Sequence, residues 1–197
     1  LIFTGTAALY ILESGNPETI GGLSLYEKLL ISAFQSVSPR TAGFNSIDLA
    51  ALTDISKFLI ILLMFTGGSP ASTAGGVKTT TLAVLLLTAA AFIRNKDVEA
   101  YGRRINYSVV NKAMTIVIIA FIIIIAGSMA LSLLNPEMDF VDIVFEVVSA
   151  FGTVGLTLGI TTQFETASKL VLVIIMFAGR VGALTIVIAL AGRAKKV

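Results

Sequence analysis

The chain has 197 residues, 56% of them hydrophobic and 13% charged, with a net charge of +2. Soluble domains carry roughly 25% charged residues, so this composition excludes a soluble globular, disordered or disulfide-built protein and indicates a membrane protein. The absence of His and Cys removes Ser-His triads, zinc helices and thiolate chemistry, and the small net charge gives no reason to expect nucleic acid.

In chain order, residues 1–12 are apolar but reach only about 18 Å as a helix, short of the ~30 Å hydrocarbon core. They read as the outer part of a spanning helix that begins before this chain. No charged n-region followed by an apolar stretch and cleavage site is present, so no signal peptide is expected. Residues 24–37 read as a short helix that enters the membrane and stops. Ser24 and Glu27 form a capping box, and Pro39 and Gly43 end the segment. Thr41-Ala42-Gly43-Phe44-Asn45 follows.

Residues 56–93 open and close as membrane helix, but their middle runs Gly67-Gly68-Ser69-Pro70-Ala71-Ser72-Thr73-Ala74-Gly75-Gly76-Val77-Lys78. Four glycines and a proline will not hold a regular helix. Unwound backbone at membrane depth requires protein or a water-filled cavity around it. A broken helix lining a cavity is therefore preferred to a polar surface loop. Residues 94–111 form a basic linker, and 112–134 is long enough to span. Residues 139–151 are a second short helix, followed by a Gly turn at 152–157 and by a spanning helix at 168–191. Arg94, Lys96, Arg103 and Arg104 in the linker, and Arg193, Lys195 and Lys196 in the tail, place both segments in the cytoplasm by the positive-inside rule.

Sliding the sequence on itself exposes a repeat. With Ser56 laid on Ser168, the same shift pairs Thr41 with Thr153, Gly43 with Gly155, Lys57 with Lys169 and Met64 with Met176. It also pairs Phe65 with Phe177, Gly67 with Gly179, Ala71 with Ala183 and Thr73 with Thr185. None of these identities depends on interchangeable Leu, Ile or Val. The expected fold is an all-α membrane protein of two tandem helix–re-entrant helix–helix units. The first unit covers 1–93 and the second 112–197, and the inner helix of the first is broken by the Gly-rich intramembrane loop.

That unit suits an ion pore. A short helix aims its negative C-terminal end at the bilayer centre, and the turn after it can offer carbonyls in place of an ion's water shell. No carboxylate sits in either turn, which favours a monovalent cation over Ca²⁺ or Mg²⁺.

The Thr41–Asn45 motif, Phe151-Gly152-Thr153-Val154-Gly155-Leu156-Thr157 and the long Gly-rich loop resemble the membrane subunits of the Trk/Ktr/HKT potassium transporters. The Lys78-Thr79-Thr80-Thr81 ending is closest to the Ktr branch. The resemblance covers essentially the whole chain and implies the third and fourth of four pore repeats. Residues Thr41, Ala42, Gly43 and Phe44, with Thr153, Val154, Gly155 and Leu156, would then form a K⁺ filter through backbone carbonyls. Segment 67–76 with Lys78 would be a gate loop beneath it. The family's loop more often has three consecutive glycines; Ala74 before Gly75 and Gly76 implies a slightly stiffer one. The resemblance further implies K⁺ as transported ion, Na⁺ dependence, and residence in the cell membrane with a cytoplasmic C-terminus. Implied partners are the N-terminal half of the same pore protein, a second copy in a homodimer, and a cytoplasmic nucleotide-binding ring of KtrA-like regulators, through which alone a nucleotide would act. No covalent cofactor and no enzymatic activity are expected.

Arg180 is costly at membrane depth unless it faces water or a partner. It is expected to project beneath the filter, touch loop carbonyls and raise a barrier to cations; the plainer alternative is a cap on those carbonyls. Lys78 reads as the loop's polar end, reaching inward. Glu146 reads as a brace between its helix and a neighbour, with influence on the ion path as the lesser alternative. The competing function is a broken-helix secondary transporter for a small solute, which needs no Gly turn after both short helices.

Overall fold

A computed structural model of the chain describes residues 1–182 other than 71, 73 and 101. Ala71 and Thr73 of the expected gate loop, residues 183–191 of the expected last helix, and the basic tail lie outside the described residues.

The chain folds as helices joined by turns: α1 (Ile2–Glu13), α2 (Leu25–Val37), α3 (Asp54–Phe65), α4 (Thr79–Ile93), α5 (Tyr107–Leu134), α6 (Phe140–Gly152) and α7 (Thr166–Val181), with a 3₁₀ turn at Ile160–Thr162. Two short strands, β1 (Glu99–Ala100) and β2 (Arg103–Arg104), pair antiparallel between α4 and α5, with Glu99 opposite Arg104. Among the described residues, α5 alone is long and apolar enough to cross a membrane.

Local chemistry sets the boundaries. Ser24 caps α2 in a full capping box: its hydroxyl accepts from the Glu27 amide while its own amide donates to Glu27 Oε2 at 2.9 Å. These bonds, first from the hydroxyl and then from the amide, hold the exposed Glu27 carboxyl below the usual glutamate range. Thr53 caps α3 by accepting from the Ser56 amide. Asn106 caps α5 by accepting from the Ser108 amide at 3.0 Å. That cap starts α5 at Tyr107, earlier than the expected 112, so the linker 94–111 is partly helical. The helix expected from 168 begins at Thr166 as α7 and is described to Val181, with Gly182 at φ 85°, ψ 134°.

Packing centres on α6, which touches α3, α5 and α7, while α1 packs on α2 and α3. Ile143, Phe145 and Val147 of α6 are fully buried, as are Ile60 and Met64 of α3. Close approach relies on small residues, as between membrane helices generally. A Cβ on Gly179 of α7 would overlap the Phe151 carbonyl of α6, and one on Gly127 of α5 would meet Ile175 of α7 at 2.5 Å. Glu13 is buried at the end of α1. It accepts from Asn16 Nδ2 (2.8 Å), Thr19 Oγ1 (2.7 Å), the Thr53 amide (3.1 Å) and Thr53 Oγ1 (2.8 Å). Fully satisfied, it pins α1 to the start of α3.

Candidate functional site: two glycine turns and a loop

The turns after α2 and α6 share an unusual backbone. Thr41 and Thr153 both adopt left-handed φ, 69° and 51°, and Gly43 and Gly155 follow at 74° and 92°. A β-branched residue with positive φ is strained, and such strain persists only where the surroundings over-determine it. At α6 the surroundings are visible: the Thr153 amide donates to the Ala150 carbonyl (3.0 Å) and the Val154 amide to the Ser149 carbonyl (2.9 Å). This is a Schellman closure with threonine where glycine usually sits.

The two turns meet. A Cβ placed on Gly155 would stand 3.7 Å from the Gly43 Cα, and one on Gly43 would land on the Val154 carbonyl oxygen. Thr41–Gly43 and Thr153–Gly155 are thereby brought to one place. Phe44 and Leu156 stand differently from the rest of the expected filter. Their carbonyls are drawn back toward the helices, Phe44 O accepting from Ser38 Oγ and Leu156 O from Ser149 Oγ at 2.6 Å.

Glu146 is buried and does not brace its helix against a neighbour. Its Oε1 accepts from Thr157 Oγ1 (2.6 Å) and the Leu158 amide (2.9 Å), and its Oε2 from Thr161 Oγ1 (2.7 Å). It therefore anchors the segment leaving the second turn. Glu146, Thr153, Gly155, Met176, Phe177 and Arg180 line a common cavity of about 660 Å³. Arg180 of α7 shares this cavity with the second turn.

Between α3 and α4 the backbone leaves the helix and doubles back. Its neck closes where the Gly67 amide donates to the Val77 carbonyl (2.8 Å) and the Val77 amide to the Phe65 carbonyl (3.3 Å). Gly76 takes φ 70°, and a Cβ on Gly67 would overlap the Gly75 carbonyl. Ser69, Pro70 and Ser72 are exposed; Ser72 Oγ donates to the Ser69 carbonyl at 2.6 Å. Lys78 does not extend away from the loop. Its ammonium folds over the loop to donate to the Ala74 carbonyl and to the Ser72 carbonyl at 3.3 Å.

The loop also touches both turns. The Gly75 amide donates to Thr153 Oγ1 at 3.0 Å, and Arg40 Nη1 donates to the carbonyls of Gly67 (3.2 Å) and Thr66 (3.4 Å). Sequence reasoning passed over Arg40. Its place directly before Thr41 is the one signal that could have raised it.

Residues 2–195 match the TrkH family, described as cation transport proteins. The chain belongs to that family. It is 42% identical over 200 residues to the Ktr system potassium uptake protein B of Bacillus subtilis, covering 97% of this chain and 45% of that protein. It is 38% identical over 200 residues to the potassium/sodium uptake protein NtpJ of Enterococcus hirae, covering all of this chain and 44% of that one. The crystal structure of the potassium transporter TrkH from Vibrio parahaemolyticus superposes with a TM-score of 0.79 at 21% identity, over 96% of this chain and 42% of that one. That likeness shows the fold. This TrkH-family chain therefore spans somewhat less than half the length of these relatives.

Proposed function

We propose that the chain supplies two of the units that surround a K⁺-conducting pore in the cell membrane. The observation that carries this reading is the meeting of the two glycine turns, each at the C-terminal end of a short helix, with left-handed threonine and glycine at matching positions. In that reading the carbonyls of Thr41, Ala42, Gly43, Thr153, Val154 and Gly155 replace the ion's water. The C-terminal ends of α2 and α6 favour the cation at that point. Phe44 and Leu156 support the filter, since their carbonyls are tied back by serines.

Segment 67–78 is the gate loop, seated against Thr153, and Arg180 sets an electrostatic barrier beside it in the cavity. A pore closed all round by such units needs further ones from outside this chain. A homodimeric assembly, a cytoplasmic nucleotide-binding regulator ring, Na⁺ dependence and a cytoplasmic C-terminus belong to the same proposal. The potassium uptake named for the Bacillus relative and the potassium/sodium uptake named for the Enterococcus one support it.

The test is Rb⁺ and K⁺ uptake into liposomes by the full-length protein, compared with Gly43→Ser. Loss of K⁺ preference in the variant is expected. Unaltered ion behaviour, with uptake of a small organic solute instead, would replace the pore with a carrier.

A further inference from the structure

Arg40 joins three features that the chain keeps far apart in sequence. It stands directly before Thr41, at the close of α2, where its amide donates to the Val37 carbonyl at 3.0 Å. Its guanidinium reaches the Thr66 and Gly67 carbonyls, at the C-terminal end of α3. Those two residues form one side of the loop's neck: Thr66 bridges Val77, and the Gly67 amide is held by the Val77 carbonyl. The opposite limb is held by the second turn, through the bond from the Gly75 amide to Thr153 Oγ1. The loop therefore hangs from both turns, one limb on each.

We propose that Arg40 is a positioning residue that keeps the loop seated against the turns, so that the loop cannot swing aside while the first turn holds its shape. The proposal rests on reading 67–78 as a gate. The physical case is that α3 ends in carbonyls with a partial negative charge, and Arg40 satisfies two of them by charge-assisted bonds. Moving the limb 66–67 away leaves those carbonyls and the guanidinium unpaired, or drags residues 40–43 along. Both bonds leave a single nitrogen, Nη1, so a lysine ammonium, one bond shorter and more strongly hydrated, replaces them only in part. Arg40 does not line the cavity that holds Arg180, so its action on an ion passes through the loop.

The experiment uses full-length protein in which Val77→Cys is the sole thiol, these 197 residues having no Cys of their own and any cysteine elsewhere in the protein being replaced. Val77 is 1% exposed at the neck, and a thiol buried there is inert to alkylation. With Arg40→Ala, labelling should accelerate about tenfold, the scale set by loss of a charge-assisted bond. Rb⁺ uptake should rise in maximal rate with an unchanged half-saturation concentration, and Arg40→Lys should recover only part of the closed behaviour. If Arg40 serves merely as a cap on α3, Arg40→Ala lowers the melting temperature while labelling and maximal rate per folded protein stay as they were, and the proposal is overturned. Labelling reads the neck whatever ion is carried, so failure of the K⁺ reading would show as absent Rb⁺ uptake in the native protein too.

Discussion

The Lys57 ammonium lies 2.9 Å from the Asp142 carboxylate, joining α3 to α6 across 85 residues of chain. Lys57 is buried, its side chain 11% exposed against 21% for Asp142. Asp54 stands 3.9 Å from the same ammonium but is open to the surroundings. Removing one member of a nearly buried pair strands the other charge, so Lys57→Ala should cost about 2–3 kcal/mol. Thermal unfolding of the full-length protein in detergent measures it. Replacing both, as Lys57→Met with Asp142→Leu, should recover most of that loss; an additive double variant would show that the two do not act as a pair.

The two turn glycines, Gly43 and Gly155, should differ in tolerance. Both need positive φ, which costs an L-residue about 1 kcal/mol or more. At Gly155 a methyl group meets nothing closer than the Gly43 Cα at 3.7 Å, whereas at Gly43 it collides with the Val154 carbonyl. Gly43→Ala should therefore damage K⁺ preference and uptake more than Gly155→Ala. Bi-ionic K⁺/Na⁺ competition in liposomes ranks them, and the reverse order would contradict this geometry.

Glu146 takes three donors from the segment leaving the second turn. Glu146→Ala leaves those groups unpaired at about 1–3 kcal/mol in all, and should loosen 157–161 and lower K⁺ uptake. Glu146→Gln keeps acceptance at Oε1 and can donate to the Thr161 hydroxyl, so it should lie between the two. Equal uptake by all three proteins would remove Glu146 from any role in holding the turn.

Arg180→Gln should raise cation flux, since it removes a positive charge from the cavity beside Thr153 and Gly155. Flux measured at saturating Rb⁺ decides it; an unchanged rate would leave Arg180 a purely structural residue.

The Ser24–Glu27 box predicts a pH effect at the start of α2. Because folding lowers the Glu27 pKa, its stabilisation is complete above the ordinary glutamate value of about 4.3. It is lost as pH falls through the lower folded value. Amide protection factors over residues 24–28, corrected for the intrinsic slowing of exchange in acid, should fall on acidification in the native protein and show no such pH step in Glu27→Gln.

The sequence by itself determined the apolar, helical class, the two short helices with their glycine turns and the glycine-rich break between α3 and α4, and it singled out Arg180 as a charge within an apolar run. All of these follow from local rules: apolar length against bilayer thickness, capping residues, helix breakers, and the cost of charge in hydrocarbon. Element ends set by a cap outside the apolar run, such as Asn106, escaped that reading. So did Glu13, Arg40 and the true partners of Glu146 and Lys78. Their roles depend on which carbonyls and hydroxyls the fold carries to them: Arg40 finds Gly67 only because α3 ends beside the first turn. Apolar patterning states that a polar side chain needs a partner, and only the tertiary arrangement supplies one.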